Sequence, residues 1–452
     1  MHGLEVAVRV VIVGAGEVGT LIATSLAPDN EVVLVDADEQ HVDKLKYELD
    51  VLTLAGDGTS AAVLEEAGVA DADMVIASTD DDRTNLVTCG TAATIGDPFT
   101  IARVKHARYQ WTWERTERAF DVDFMVCSDL KTAETIVNII GLPAAIDVDP
   151  FAGGRVQMAE FDISDDSPVT GETVAEADTF DSLTFAALFR NGDMILPQGT
   201  TVIEAGDRAV VIGSPESVQK FAREVAPATT PGKAEEIVVV GGSDIGYHTA
   251  RLLEDRGLRP RLIEQDADRA RELAEELPGT LVMHHDATDT EFLERERVDE
   301  ADILVSALES DEKNMLVSVL AKRIGTDRVI SIVDRGNYVQ LFEEIGIDVA
   351  INPRIVTAEE ITRFTHEGVA LNIAVLENDQ AEVLELELAP DSELVGRTIR
   401  EIDESISADM VFGAVTRDHE FVIPRGETVL EAGDHIVVFV ETAFVDRLIG
   451  MA

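Results

Sequence analysis

Short apolar runs recur through the first 125 or so residues, at 8–13, 31–35, 51–54, 73–77, 99–104 and 122–126, and segments with helical spacing separate them. Unbroken Val, Ile and Leu runs of that length predict strands buried on both faces. Their alternation with helical segments predicts a parallel sheet wound with helices on both sides. The stretch that follows has a different texture. Residues 185–213, FAALFRNGDMILPQGTTVIEAGDRAVVIG, are short apolar segments cut by turn chemistry. Asn191-Gly192 predicts a hairpin turn, and Ala205-Gly206-Asp207 predicts another turn before an apolar strand.

The whole pattern then starts again. VVIVGAGEVG at 10–19 returns as IVVVGGSDIG at 237–246, with Gly14 on Gly241 at an offset of 227. IARVKHARY at 101–109 returns as ISIVDRGNY at 330–338, an offset of 229, and Thr132-Ala133-Glu134 returns as Thr357-Ala358-Glu359, an offset of 225. RNGDMILPQGTTVIEAGD at 190–207 returns as RDHEFVIPRGETVLEAGD at 417–434, again at 227. Anchors that keep their order at nearly one offset mean duplication of the whole chain. Between the copies, APATTPGKAE at 226–235 has no periodicity and two prolines, and it reads as a linker.

Composition changes the picture in one respect. The apolar share, 45 %, is that of a globular protein, but 88 acidic residues face 36 basic ones, a formal charge of −52. Such a field repels phosphate backbones and anionic lipid, so neither nucleic acid nor direct membrane insertion is expected. The acid is spread along the chain rather than gathered in a tail, which suits a halophile, where salt near 1 M screens charge within about 3 Å. Cys89 and Cys127 stand far apart with no CxxC and read as buried small side chains. Met1 to Val8 contains Glu5 and shows no leader pattern. No apolar run approaches the ~18 residues of a membrane span, so any membrane role is expected to come through a partner.

The candidate chemistry lies at the ends of strands. Gly14-x-Gly16-x-x-Gly19 follows an apolar strand and opens a helical pattern, the context that the Rossmann dinucleotide fingerprint requires. Gly14 allows the tight turn, Gly16 lets the backbone approach a pyrophosphate, and Gly19 lets the helix pack on the strand, with the phosphates at the helix N-terminus. The loop residues Ala15, Glu17 and Val18 belong to the same site. Asp36 ends the second strand, where it can accept from ribose hydroxyls, and the Asp38 and Glu39 that follow favour NAD over NADP. Asp57 and Thr59 after the third strand, Thr79 and Asp80 after the fourth, and Arg103 on the fifth complete the first pocket. In the second copy Gly241, Gly242, Ser243, Asp244, Ile245 and Gly246 form the loop, Glu264 stands for Asp36, and Asp286 for Asp57. Ser243 replaces the middle glycine and Ile332 replaces Arg103, so the first copy is expected to be the better binder. No HExxH or CxxC supports a metal site at Asp80–Asp82 or at His284-His285.

The expected fold class is therefore α/β, with two Rossmann-like doubly wound parallel-sheet lobes, each followed by a small β-rich α+β lobe. The expected boundaries are a Rossmann lobe at 1–127, a crossover helix and small lobe at 128–226, a linker at 227–235, a second Rossmann lobe at 236–352, and a second crossover helix and small lobe at 353–452. That order, with the motifs quoted and Ile195-x-Pro197, resembles the TrkA family, the duplicated form of the regulators of potassium conductance. The resemblance implies a cytoplasmic regulatory subunit, not an enzyme, at the inner face of the membrane. It implies a homotetramer that places eight Rossmann lobes in a ring under a Trk-type potassium translocator, with NAD(H), or ATP or ADP, in the Rossmann pocket. An NAD-dependent oxidoreductase is the alternative of another class, but it needs a proton donor in the small lobes. Residues 150–226 hold no histidine and His419 falls in a predicted turn, so none is expected there. A regulator of a non-potassium transporter is the remaining alternative.

Overall fold

The computed structural model describes residues 8–28, 30–116, 119–142, 144–225, 236–365, 370–376, 381–405, 410–417 and 420–452. The 227–235 linker and His419 lie outside the described residues. Strands β1 (Arg9–Val13), β2 (Glu31–Asp36), β3 (Leu52–Ala55), β4 (Met74–Ala77), β5 (Phe99–Val104) and β6 (Phe124–Cys127) form one parallel sheet in the order β3-β2-β1-β4-β5-β6. The chain reverses direction across the sheet between β1 and β4, so the carboxyl ends of these two strands frame a crevice, the usual ligand position in such folds. The predicted runs and the observed strands agree to within two residues.

In the first small lobe β7 (Ala145–Phe151), β8 (Val156–Asp162), β9 (Leu183–Arg190), β10 (Asp193–Ile195) and β11 (Arg208–Gly213) pair antiparallel in the order β10-β9-β11-β8-β7. Asn191 and Gly192 both have positive φ, 54° and 84°, as the predicted two-residue hairpin turn requires. The second copy repeats both sheets. Strands β12 (Ile237–Val240), β13 (Arg261–Glu264), β14 (Leu281–His284), β15 (Ile303–Ser306), β16 (Arg328–Ile332) and β17 (Val349–Ile351) take the order β14-β13-β12-β15-β16-β17. Strands β18 (Ala370–Leu376), β19 (Ala381–Glu387), β20 (Met410–Arg417), β21 (Glu420–Val422) and β22 (His435–Glu441) take the order β18-β19-β22-β20-β21.

Like lobes group with like. One compact unit holds the two Rossmann lobes, 1–136 and 235–362, and the other holds the two small lobes, 137–234 and 363–452. In the second unit one core draws Met158, Phe189 and Ile212 from the first copy and Val383, Val437 and Phe439 from the second. Gly413 permits that closeness, because a Cβ there would stand 2.5 Å from Ile212 Cδ1. Part of the acid load serves as helix caps: Asp38, Asp81, Asp266 and Asp289 each accept a backbone N–H of the helix that follows.

The conserved spacing between the Arg and the Ala-Gly-Asp turn in the two copies has a structural cause. Arg190 Nε and Nη2 donate to the two carboxylate oxygens of Asp207 at 2.7 and 2.8 Å, and Nη2 also donates to the Val202 carbonyl. Arg417 repeats this with Asp434 and the Val429 carbonyl. Asp207 and Asp434 are fully buried, so each needs its bidentate partner. Asp207→Ala is expected to destabilise the protein by about 3–5 kcal/mol, because it strands a partly buried guanidinium. Urea unfolding would check this, and a loss below about 1 kcal/mol would contradict the role assigned to the pair.

Candidate functional site

The first glycine loop is built around one close approach. A Cβ on Gly19 would stand 1.8 Å from the Gly14 carbonyl oxygen, and Gly14 itself has φ +110° with the Thr79 backbone against it. Both glycines are required by the turn from β1 into the helix Glu17–Leu26. Gly16 differs from them. It has ordinary extended backbone and nothing within 4 Å of where a Cβ would lie, so the space in front of the helix is open. No side chain caps that helix, so its first N–H groups have no side-chain acceptor at the N-cap.

Asp36 braces the loop. Its Oδ2 accepts the Ala15 N–H at 2.6 Å and its Oδ1 accepts the Asp38 N–H at 2.8 Å, which leaves further lone pairs at the end of β2. Thr79 gives both its N–H (2.9 Å) and its hydroxyl (2.6 Å) to Asn85 Oδ1. Arg103 is buried; its Nε donates to Ser128 Oγ and its Nη1 to Asp80 Oδ1, both at 3.0 Å. It thus ties the ends of β4 and β5 to the start of the crossover helix Ser128–Ile140. Asp57 accepts the N–H and hydroxyl of Thr59 and is held below the usual carboxylate range by those bonds. Asp57 and Thr59 therefore form a closed turn, and Gly58 between them lies against Val13 at the end of β1.

The second loop keeps the frame and closes the opening. A Cβ on Gly246 would stand 2.0 Å from the Gly241 carbonyl oxygen, the same close approach. Glu264 Oε2 accepts the Gly242 N–H at 2.7 Å and Oε1 accepts the Asp266 N–H at 2.6 Å, as Asp36 does. Gly242 has no room for a side chain, because Glu264 and Leu273 crowd it. Ser243 Oγ donates to the Ala307 carbonyl at 2.7 Å and accepts the Gly246 N–H at 3.3 Å, so it caps the helix Asp244–Asp255. Arg269 Nε donates to the Gly242 carbonyl at 3.0 Å, with its guanidinium 6.0 Å from the Tyr247 ring centroid. Ile245 continues the first turn of this helix, and Asp286 closes the same turn with Thr288 that Asp57 makes with Thr59.

Two residues of the acidic run that follows the fourth strand, Asp80 through Asn85, support the strand ends, and both recur in the second lobe. Asn85 also donates to the Thr79 and Arg103 carbonyls, and Asn314 donates to those of Leu308 and Ile332. Asp82 accepts the N–H groups of Lys105 and His106, and Asp311 those of Asp334 and Arg335. The signal was present: D-x-x-N at 82–85 and 311–314 repeats at an offset of 229. The expectation of no histidine candidate in the small lobes is corrected by His435, whose Nδ1 lies 3.2 Å from Glu385 Oε1. Glu385 is buried and its Oε2 accepts the Ala152 N–H at 2.8 Å, so the pair joins the two small lobes. Both cysteines are free and buried, and burial pushes the Cys127 thiol up to about 12. Among the described residues no group of three or more His, Cys, Asp or Glu is arranged to hold a metal ion, and no helix is long and apolar enough to cross a membrane.

Two Rossmann lobes with glycine loops, each carrying a small antiparallel lobe, place the chain among proteins built from tandem Rossmann units with C-terminal accessory lobes. Residues 10–126 and 237–353 match the TrkA-N domain, and residues 158–226 and 383–449 match the TrkA-C domain, so the chain belongs to the TrkA family. It is 35% identical over 439 residues to the Trk system potassium uptake protein TrkA homolog 1 of Methanosarcina mazei, covering 95% of this chain and 97% of that one. It is 34% identical to the TrkA homolog of Archaeoglobus fulgidus (97% and 99% covered) and 30% identical to the TrkA of Haemophilus influenzae (95% and 95%). Among solved structures, the GsuK RCK domain superposes with a TM-score of 0.62 at 18% identity, covering 100% of this chain and 97% of that one, a likeness of fold.

The three glycines of the first loop are expected to respond differently to substitution. Gly16→Ser has room and adds a helix cap, so thermal unfolding should show no loss of stability. Gly19→Ala meets a carbonyl oxygen and should cost about 1–3 kcal/mol or more. Equal effects would contradict the geometry. A second expectation concerns Asp129, at the start of the first crossover helix. Burial pushes its carboxyl up to about 6, Lys105 pulls against that, and Asp244 of the second loop adds to the rise. A raised acid pKa favours the protonated folded form, so its contribution is intact below about pH 4 and is lost as pH rises through about 6. Asp129→Asn should therefore be more stable than the parent at pH 7.5, by on the order of 2–3 kcal/mol, with the difference fading toward pH 4 in denaturant titrations.

Proposed function

We propose that this chain is the nucleotide-sensing regulatory subunit of a membrane potassium uptake system, with NAD(H), or ATP or ADP, held in the first Rossmann pocket. The single observation that carries the reading is the difference between the two loops. The first helix presents uncapped N–H groups to an open space at Gly16, whereas Ser243 satisfies the equivalent donor in the second. An anion such as a pyrophosphate is the natural occupant of the first arrangement. In that reading Gly14 to Gly19 cradle the phosphates and Asp36 accepts from the ribose. Thr79 and Asp80 line the crevice with Arg103, while Asp57 and Thr59 form its neighbouring wall. The second pocket, at Gly241 to Gly246 with Glu264 and Asp286, is the weaker site. The relatives, potassium uptake proteins of Trk systems by name, support a Trk-type translocator as the membrane partner.

The chain acts by binding rather than by turnover. Assembled as a homotetramer beneath the translocator, it regulates by population shift: a ligand that prefers one arrangement of the Rossmann lobes biases the assembly toward it, by no more than its differential affinity. Calorimetric titration with NADH, NAD, ATP and ADP, in molar KCl to screen the −52 charge, tests the reading. One equivalent per chain is expected to bind with micromolar affinity, and Asp36→Ala should abolish it. Absence of binding by all four nucleotides would remove the sensor role from the first pocket.

A further inference from the structure

The first glycine loop meets the start of the second crossover helix, and the residues at the corresponding positions have diverged between the copies. Glu17, in the first loop, is ion-paired at 2.5 Å with Nη1 of Arg354, which begins the second crossover helix, Pro353–Thr365. Arg354 also donates to the Asp334 carbonyl at 3.2 Å and lies in the field of Asp80, a residue of the first pocket. Burial disfavours the charge on Arg354, and Glu17, Asp334 and Asp80 outweigh it. Under the repeat, Glu17 corresponds to Asp244 (offset 227) and Arg354 to Asp129 (offset 225). In the second copy, therefore, both corresponding positions are carboxylates, and Asp244 adds to the rise that burial causes in the Asp129 carboxyl.

From this juxtaposition we infer that Arg354, delivered by the second lobe, is a specificity-determining residue of the first pocket, selecting ligands by phosphate charge, with Glu17 holding it in check. The inference rests on the first pocket being the nucleotide site. Glu17 sits at the helix N-terminus where phosphate would lie, and alone it repels an anion. Arg354 neutralises it, and a ligand phosphate competes with Glu17 for the same guanidinium. The second loop has no such cation, since Asp129 stands in its place. A more highly charged phosphate chain gains more from Arg354, so the residue discriminates among ligands that share one adenosine.

The test is calorimetric titration of the full chain and its variants with AMP, ADP, ATP and NAD. Arg354→Gln should weaken binding about threefold to tenfold, with the loss growing from AMP to ATP. Glu17→Gln should strengthen binding by a similar factor in the same order, and Arg354→Lys should retain most of the parent affinity. A uniform loss across the series, or a Glu17→Gln variant that binds no more tightly than the parent, would overturn the inference while leaving the pocket in place. If the parent binds none of the four, both the pocket and the inference fail. Should Arg354→Gln not fold, as judged by circular dichroism, the direction of the Glu17→Gln effect decides alone.

Discussion

The structure depends on one tight packing contact made twice: the glycine that opens the first helical turn lies directly on the carbonyl of the glycine that ends the first strand. With a Cβ distance of 1.8 Å at Gly19 and 2.0 Å at Gly246, any side chain at either position would have to push strand and helix apart. That contact sets the angle at which strand becomes helix and so points the helix N-terminus at the crevice between β1 and β4. Everything chemical about the site follows from where those N–H groups face. The acid at the end of β2 or β13 then fixes the intervening loop by accepting its first N–H.

Given one frame, small differences decide what each copy can do. A hydroxyl at Ser243 satisfies a helix donor and fills the place where Gly16 leaves space. The longer acid, Glu264, requires a bare glycine at 242 where the shorter Asp36 tolerates Ala15. Arg269 then lies over the loop and donates to it. These changes give the second loop one more satisfied helix donor, the Gly246 N–H, than the first has.

Most of the fold was legible in the chain, because buried parallel strands and their turns leave strong local signals. The Val and Ile runs located the strands, Asn191-Gly192 located a hairpin, and the glycine fingerprint located the loops. What could not be read locally was every partnership made across the chain. Arg103 looked like a free phosphate ligand, and its ties to Asp80 and Ser128 depend on how three strand ends converge. The bonds from the Thr59 N–H and hydroxyl to Asp57 likewise depend on the local turn after β3. Asn85 and Asp82 were legible as part of the run after the fourth strand, but not the bonds they make to the end of β5. His435 was missed because its partner, Glu385, is fifty residues away in sequence and adjacent only across paired strands.

Duplication explains why the site can be directional. In an assembly of identical copies, a loop acid and the helix start it faces would recur identically at each reciprocal contact, so both contacts would be attractive or both repulsive. A fused pair escapes that constraint. Here position 354 carries a guanidinium and its counterpart 129 a carboxylate, while both loops keep an acid, Glu17 and Asp244. The first arrangement is an ion pair; in the second both positions are acidic, and burial, with Lys105 pulling against it and Asp244 adding to it, raises the Asp129 carboxyl. The crossover helices are themselves joined by an ion pair between Lys131 and Glu360 at 2.8 Å. Under the proposed sensing role, this inequality of charge would let a ligand at the first loop bias the pair in one direction.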